Sequence, residues 1–199
     1  MLSRPGLPPR ERLLIVAKAA IWPGDWDELV SCAKTARNHD WCRSELEETL
    51  LQAVLFFGFP RVVTAFEVVQ REWPPEHPPS GGTLPADQQA AAGSSLFGAI
   101  YGKNTDSVRG MLRGFHAEFE DFVMNAAYGR ILTRPALQPR LRELLAVGAL
   151  AAMDQVPQLV AHGRGAASFG ATRIEIEEAV FSATKDSDLT AQLTRKIVG

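Results

Sequence analysis

LSRPGLPPRERLL, residues 2–14, returns as LTRPALQPRLREL at residues 132–144, and this repeat decides the fold. The register continues without an insertion, since 17 of the 53 residues at 2–54 are identical to the residue 130 positions later. Chance does not produce such an ungapped match, so we interpret the chain as two copies of one unit. Residues 1–72 form the first copy, residues 73–86 form a Pro/Gly-rich linker, and residues 87–199 contain the second copy.

Each copy has the pattern of three consecutive helices. In the second copy, helices are predicted from Arg140 to Met153, from Gln158 to about Phe169, and from Thr172 through Val180, where Glu175 completes a capping box. The counterparts in the first copy are 9–21, about 26–39, and 44–57. Two further helices are predicted after the linker, from Pro85 to about Tyr101 and from Ser107 to about Ala127. Strand signals are nearly absent, so we predict an all-α fold in which the copies pack about a pseudo-two-fold axis.

Composition and charge narrow the possible partners. The chain has a net charge of -2, a pI near 6.1 and no basic run, which argues against nucleic acid. No apolar run approaches the length of about 20 residues that a membrane span needs, so no membrane partner is expected. The charged and apolar residues at 4–21 resemble a secretion signal, but Lys18 interrupts the run and the pattern recurs inside the chain. We therefore expect a cytoplasmic protein.

Two cysteines are present, with nine residues between them and without further cysteines for a zinc site. We interpret Cys32 and Cys42 as two buried structural thiols, although a disulfide between them stays open. No histidine or carboxylate cluster predicts a metal, and no glycine-rich phosphate loop predicts a nucleotide cofactor.

Several stretches resemble the carboxymuconolactone decarboxylase family, which shares its fold with the alkyl hydroperoxidase D proteins. They are YGRILTRPALQPRLRELL at 128–145, QLVAHGRGA at 158–166, GATRIEIEEA at 170–179, and LLQAVLFFGFPRVVTAF at 50–66. The resemblance covers residues 1–72 and 95–183. It implies an internally duplicated alkyl hydroperoxidase D-like helical fold.

The resemblance also implies where a site lies. The hydroperoxidase branch uses the spacing E-x11-C-x2-C-x3-H, and this chain has Glu143, Gln155, Gln158 and His162 at those positions. A thiol peroxidase needs one thiolate to attack the peroxide and a second to resolve the sulfenic acid. Glutamine can do neither, so peroxidase chemistry at this position is excluded.

A carboxylate and an imidazole remain, a combination suited to proton transfer near neutral pH. By resemblance to the decarboxylase branch, His162 and Glu143 are the candidate catalytic residues. Arg142 and Arg140 are candidates to hold a substrate carboxylate, although Arg12 and Arg10 match them in the first copy, which favours salt bridges to the capping carboxylates. The remaining candidates for substrate binding are Gln158, Gln155, His116 and Tyr128.

The first copy lacks this set of residues. Leu13 stands where Glu143 would be, and Asp25, Glu28 and Cys32 replace the other three. We therefore interpret the first copy as a structural half and place the site in the second. After residue 183 the second copy has no GFP motif, so its closing helix is expected to be weak or differently placed, leaving the site open to water.

Three functions remain possible. The first is a cofactor-independent lyase or isomerase acting on a small carboxylate or lactone through Glu143 and His162. The second is a non-catalytic binding or oligomerisation module of the same fold, and the third is a thiol oxidoreductase using Cys32 and Cys42. Whether the protein is an enzyme is left open, no cofactor is expected, and the resemblance implies a homo-oligomer, either a dimer or a trimer.

Overall fold

The computed structural model describes residues 2–77 and 81–198, and no β-strand occurs among them. The first segment comprises α1 (Pro9–Ile21), α2 (Trp26–Asn38) and α3 (Arg43–Glu72). The intervening helices are α4 (Ala86–Tyr101), α5 (Thr105–Phe115) and α6 (Phe119–Phe122), which continues as a π-helical stretch over Val123–Leu132. The second segment comprises α7 (Pro139–Ala152), α8 (Val156–Ser168), α9 (Arg173–Thr184) and α10 (Ser187–Val198). The all-α prediction is confirmed.

The helices of the two segments begin at the same offset as the sequence repeat. The first residues of α1, α2 and α3 lie 130 positions before those of α7, α8 and α9. A proline begins both α1 and α7, where its missing N–H costs nothing. The capping box predicted at the start of α9 is present, with Thr172 and Glu175 each accepting a hydrogen bond from the other's backbone N–H.

Helix α3 is bent by one residue. Gly58 has φ 74° and ψ 170°, values outside the helical region, and the chain resumes a helix at the following FPR sequence. Among the described residues, α3 is the helix whose length and composition would allow it to cross a membrane, a possibility that the sequence prediction had discounted. Leu46 and Leu50, in its first half, belong to the protein core.

Two predictions about helices need correction. The single helix predicted from Ser107 to Ala127 is wrong, because His116 is fully extended (φ -160°, ψ 142°) and separates α5 from α6. The poor helix formers Gly110 and Gly114 weaken the helix before this break. The closing helix of the second segment, predicted to be weak or differently placed, is a regular helix, α10, which packs against α8 and α9.

The hydrophobic core is shared between the segments. Helix α1 packs against α7 and α9 of the second segment as well as against α2 and α3 of its own. Core residues include Leu14, Ile15 and Leu50 from the first segment and Leu144 and Val180 from the second. The intervening helix α4 forms a smaller cluster with the π-helical stretch and also lies on α8.

Buried ion pairs cross from the first segment to the second. Arg12 is fully buried and donates to the Glu178 carboxylate at 2.7 Å and to Ser182 at 3.0 Å. Arg4 donates to the same carboxylate at 2.7 Å. Arg12 also donates to the carbonyl oxygen of Arg4, which fixes the chain before α1.

The reciprocal ion pairs join arginines of the second segment, 130 positions after Arg4 and Arg12, to a carboxylate of the first. Arg134 and Arg142 both donate to the carboxylate of Glu48, on α3, at 2.9 Å. Arg142 also donates to the carbonyl oxygen of Arg134, and Gln52 donates to the carbonyl oxygen of Arg142. Each segment therefore supplies the carboxylate that neutralises the other segment's arginines.

Candidate functional site

Glu143 and His162 form a buried hydrogen-bonded pair. Glu143 lies on α7 and His162 on α8, and His162 Nδ1 is 2.9 Å from Glu143 Oε2. The Glu143 side chain is 2% exposed and that of His162 is 10% exposed, so the imidazole is the member that solvent reaches. In the described residues no hydrogen bond engages His162 Nε2. A carboxylate that holds one ring nitrogen leaves the other free to exchange a proton, as in serine hydrolases.

A glycine on α8 makes room for the carboxylate. A Cβ atom at Gly165 would lie 2.6 Å from Glu143 Oε2 and 3.1 Å from Ile100 Cγ2 of α4. No real side chain tolerates the first of these distances. Gly165 therefore allows α8 to approach both the carboxylate and the intervening helix.

Two tyrosines from the intervening helices contact each other and interact electrostatically with Glu143. Tyr128 donates to the hydroxyl of Tyr101 at 3.4 Å and meets Phe97 edge to face, with ring centroids 4.7 Å apart. Burial raises the pKa of Tyr128 well above its ordinary value, and the interactions with Tyr101 and with the charge of Glu143 act in the same direction. Both phenols are therefore neutral near pH 7. Tyr128 was predicted from sequence, whereas Tyr101 was not.

Lys18, a residue of the first segment, contributes to the same region. Its side chain on α1 is fully buried, and Nζ has no hydrogen-bond partner among the described residues. Nζ lies 4.2 Å from the centre of the Phe56 ring, and that ring meets His162 edge to face with centroids 6.3 Å apart. The site is thus built from both segments, whereas the sequence had placed it in the second alone. The available signal was one lysine inside the apolar run LLIVAKAAI.

Burial and neighbouring charges act on Lys18 together. Desolvation lowers the pKa of Lys18 well below its ordinary value, and the positive charge of Arg142 lowers it further. The negative charge of Glu143 opposes both effects without outweighing them. The neutral amine is the form that this environment favours.

The predicted arginines are held in ion pairs. Arg142 is 2% exposed and donates to Glu48, as described above. Arg140 donates to Glu175 at 2.8 Å and also contacts Glu11 of the first segment. These contacts occupy both guanidinium groups with protein carboxylates.

The structure does not bring the other predicted residues to the pair. Gln155 and Gln158 are exposed at the start of α8. His116 is exposed in the turn after α5, where its Nδ1 accepts a hydrogen bond from the backbone N–H of Glu118.

The two cysteines differ from each other and are not bonded. Burial raises the pKa of Cys32 to about 12, so this thiol is protonated at neutral pH. Cys42 is exposed, and its prediction as a buried thiol is wrong, because it lies at the start of α3 with its sulfur 2.9 Å from the Ser44 hydroxyl.

In the described part of the chain, no metal-binding cluster is found at the pair, and a sizeable cavity lies away from it. Among residues 2–77 and 81–198, no group of three or more histidine, cysteine or acidic side chains is placed to hold a metal. A cavity of about 480 Å³ lies elsewhere, between α4 and the stretch before α7. Its lining includes Ala92, Leu96, Ala99, Leu132, Pro135 and Phe169.

Comparison with known proteins agrees with this fold. The model of the carboxymuconolactone decarboxylase family matches residues 1–71 and 117–193, a range that includes Glu143, His162 and Lys18. The chain belongs to the carboxymuconolactone decarboxylase family. The resemblance seen in the sequence is confirmed. Each of the two matched ranges contains a different one of the two repeated segments.

The chain is similar to two named proteins. It is 27% identical over 158 residues to peroxisomal protein 2 of Schizosaccharomyces pombe, covering 77% of this chain and 74% of the relative. It is 28% identical over 80 residues to 4-carboxymuconolactone decarboxylase of Acinetobacter baylyi, covering 40% of this chain and 60% of that enzyme.

Proposed function

We propose that this protein is a cofactor-independent lyase or isomerase that acts on a small carboxylate or lactone, with His162 as the proton-transfer group and Glu143 as its orienting partner. The observation that carries the proposal is the buried 2.9 Å hydrogen bond between Glu143 Oε2 and His162 Nδ1. A polar pair buried at this depth is costly unless its hydrogen bonds are satisfied, and such pairs are concentrated at functional sites.

The chemistry follows from the free ring nitrogen. When a lactone acid loses carbon dioxide, the electron pair of the broken C–C bond stays on the substrate and must receive a proton. His162 Nε2 donates that proton, while Glu143 stabilises the positive charge that the imidazole carries before the transfer. Tyr101 and Tyr128 are both neutral, and the pKa of each is raised in part by the charge of the same carboxylate.

The test uses 4-carboxymuconolactone, the substrate named for the A. baylyi relative, and measures release of carbon dioxide. His162→Gln is expected to lower kcat by about 10²-fold or more, because it removes the acid–base group. Glu143→Gln should lower kcat less than His162→Gln does, and the variant should still fold. Cys32→Ala is the matched control, since Cys32 occupies the position of His162 in the first segment, and it should leave turnover unchanged.

Turnover that survives His162→Gln, or that falls equally in Cys32→Ala, would contradict this assignment. If the wild-type protein releases no carbon dioxide from this substrate, the same variants are compared in a solvent deuterium exchange assay with other lactone acids. Absence of any His162-dependent reaction across that series rejects the enzyme proposal.

A second candidate function, a module for homo-oligomer formation, rests on the face of α5 and α6. Met111, Phe115 and Phe122 are 50%, 68% and 66% exposed, and α5 buries none of its residues. Apolar side chains grouped in this way mark contact surfaces. Light scattering should show a dimer or trimer that Phe115→Glu dissociates, whereas a monomeric wild type would refute this candidate.

A further inference from the structure

Lys18 is a buried ionisable group that the proposed proton transfer does not use. The chain has five lysines, of which Lys18 is buried and the other four, at 34, 103, 185 and 196, are exposed. A buried ammonium without a hydrogen-bond acceptor is strongly destabilising, and an apolar residue would suit the core between α1 and α3 better. Retention of an amine at this point needs another explanation.

The charged groups around Lys18 do not neutralise it. From α7, Arg142 repels a positive charge on Lys18 and is itself bound to Glu48. Glu143, also on α7, directs its Oε2 to His162, and no ion pair joins it to Lys18. From α3, Lys18 meets the Phe56 ring. An amine held in an apolar environment beside a cationic group is the arrangement that activates a lysine as a nucleophile.

We propose that Lys18 is the nucleophile of a carbonyl-binding site, where it forms a Schiff base with a small aldehyde or keto acid. The proposal rests on the proposed function in one respect, because His162 and Glu143 supply the acid. Lys18 and His162 both contact the same Phe56 ring, and His162, with a side chain that is 10% exposed, is the more solvent-accessible of the two.

The reaction balances with the groups present. The lone pair of Nζ forms a bond to the carbonyl carbon, and the C=O π electrons move to oxygen. The oxygen takes a proton from the nitrogen, which gives a carbinolamine. Protonated His162 then donates a second proton to this oxygen, which leaves as water, and the nitrogen lone pair completes the C=N bond of a cationic iminium.

Trapping the iminium tests the proposal on the full-length protein. The protein is incubated with pyruvate at pH 7 and reduced with borohydride, which converts an iminium into a stable secondary amine, and the modified lysines are identified by peptide mass spectrometry. Modification of Lys18 should exceed the mean of the four exposed lysines by about tenfold or more, since each unit of lowered pKa increases the neutral amine fraction tenfold. Equal labelling of all lysines, or none at Lys18, overturns the proposal.

Two variants separate this proposal from the function proposed above. Lys18→Met should lose the adduct while keeping the cooperative thermal transition, and Lys34→Met, which removes an exposed lysine, should keep the adduct. His162→Gln should lose turnover of carboxymuconolactone and form the Lys18 adduct several-fold more slowly, because its acid is missing. An adduct that forms without any His162-dependent turnover refutes only the lyase assignment. Turnover that depends on His162 with no Lys18 adduct refutes only the Schiff base.

Discussion

At the scale of single residues, the space left by Gly165 determines the geometry of the site. Gly165→Ala should push the Glu143 carboxylate away from His162, because the new Cβ would lie 2.6 Å from Glu143 Oε2. We expect loss of the Nδ1 proton resonance of His162 in ¹⁵N-labelled protein and a turnover at least about tenfold lower, consistent with loss of an orienting partner. Gly98→Ala, at a helical position with open space, is the control and should change neither. If the resonance is intact in Gly165→Ala, the hydrogen bond between Glu143 and His162 survives the added Cβ, and the prediction is wrong.

The burial of Lys18 predicts a dependence of stability on pH. Because its pKa is lowered by burial, the unfolded chain binds a proton that the folded chain does not, over the range from the folded pKa up to about 10.4. Wild-type stability from this group therefore rises with pH in that range, by about 1.4 kcal/mol per unit. Lys18→Met should be more stable than wild type, and its advantage in urea denaturation should grow as pH falls from 10 toward 7. A difference independent of pH would mean that Lys18 stays charged in the fold.

The sequence predicted part of the site at this scale. Glu143 and His162 were found because the family spacing preserves their positions on successive helices. Lys18 and Tyr101 were not found, because they reach the site through packing of α1 and α4 on the second segment, and no local pattern encodes such contacts. The arginines illustrate the opposite case, since their match in both copies did indicate a structural role.

At the scale of helices, Gly58 sets the direction of the second half of α3. Gly58→Ala should destabilise the protein by about 1 kcal/mol, because φ 74° is unfavourable for a residue with a Cβ even though the space is nearly empty. Gly110→Ala is the matched control, at an exposed position within α5 that has a helical backbone. That substitution should stabilise by up to about 1 kcal/mol in chemical denaturation. If both substitutions stabilise, the bend is not fixed by Gly58.

Helix starts were predictable and some helix lengths were not. Prolines at the first turn of α1 and α7 and the capping box of α9 are local signals, so those starts lie within one or two residues of prediction. The break at His116 has no proline, and the continuation of α3 beyond Gly58 runs through Pro60, which sequence rules treat as a stop. A proline is tolerated there because it lies in the first turn after the break.

At the scale of the whole molecule, the crossed ion pairs connect the two segments. Hydrogen bonds from Arg134 and Arg142 hold the pKa of Glu48 below its ordinary value, although burial alone would raise it. Glu48 therefore stabilises the fold above about pH 4.3, and this stabilisation is lost as pH falls through its folded pKa. Glu48→Gln should cost about 3 to 5 kcal/mol at pH 7, because it leaves two buried cations without a counter-charge.

Glu178→Gln is the matched comparison for that prediction. Of its two partners, Arg12 is fully buried but Arg4 has a side chain that is 43% exposed, so Glu178→Gln leaves one buried cation unpaired instead of two, and the destabilisation should be smaller than for Glu48→Gln. Acid denaturation followed by circular dichroism should also show that Glu48→Gln lacks the stability loss of wild type below pH 4. Equal effects of the two substitutions would mean that the exposure of Arg4 does not reduce the cost of losing its carboxylate.

The crossing of these ion pairs has a consequence for synthesis of the chain on the ribosome. Arg4 and Arg12 are translated 174 and 166 residues before their partner Glu178. Proteins made of independent units fold from the N-terminus as each unit appears. Here the face of α1 that packs on the second segment, which carries both apolar and charged side chains, stays uncovered until translation passes α9. Chaperone binding during translation should therefore concentrate on the first segment.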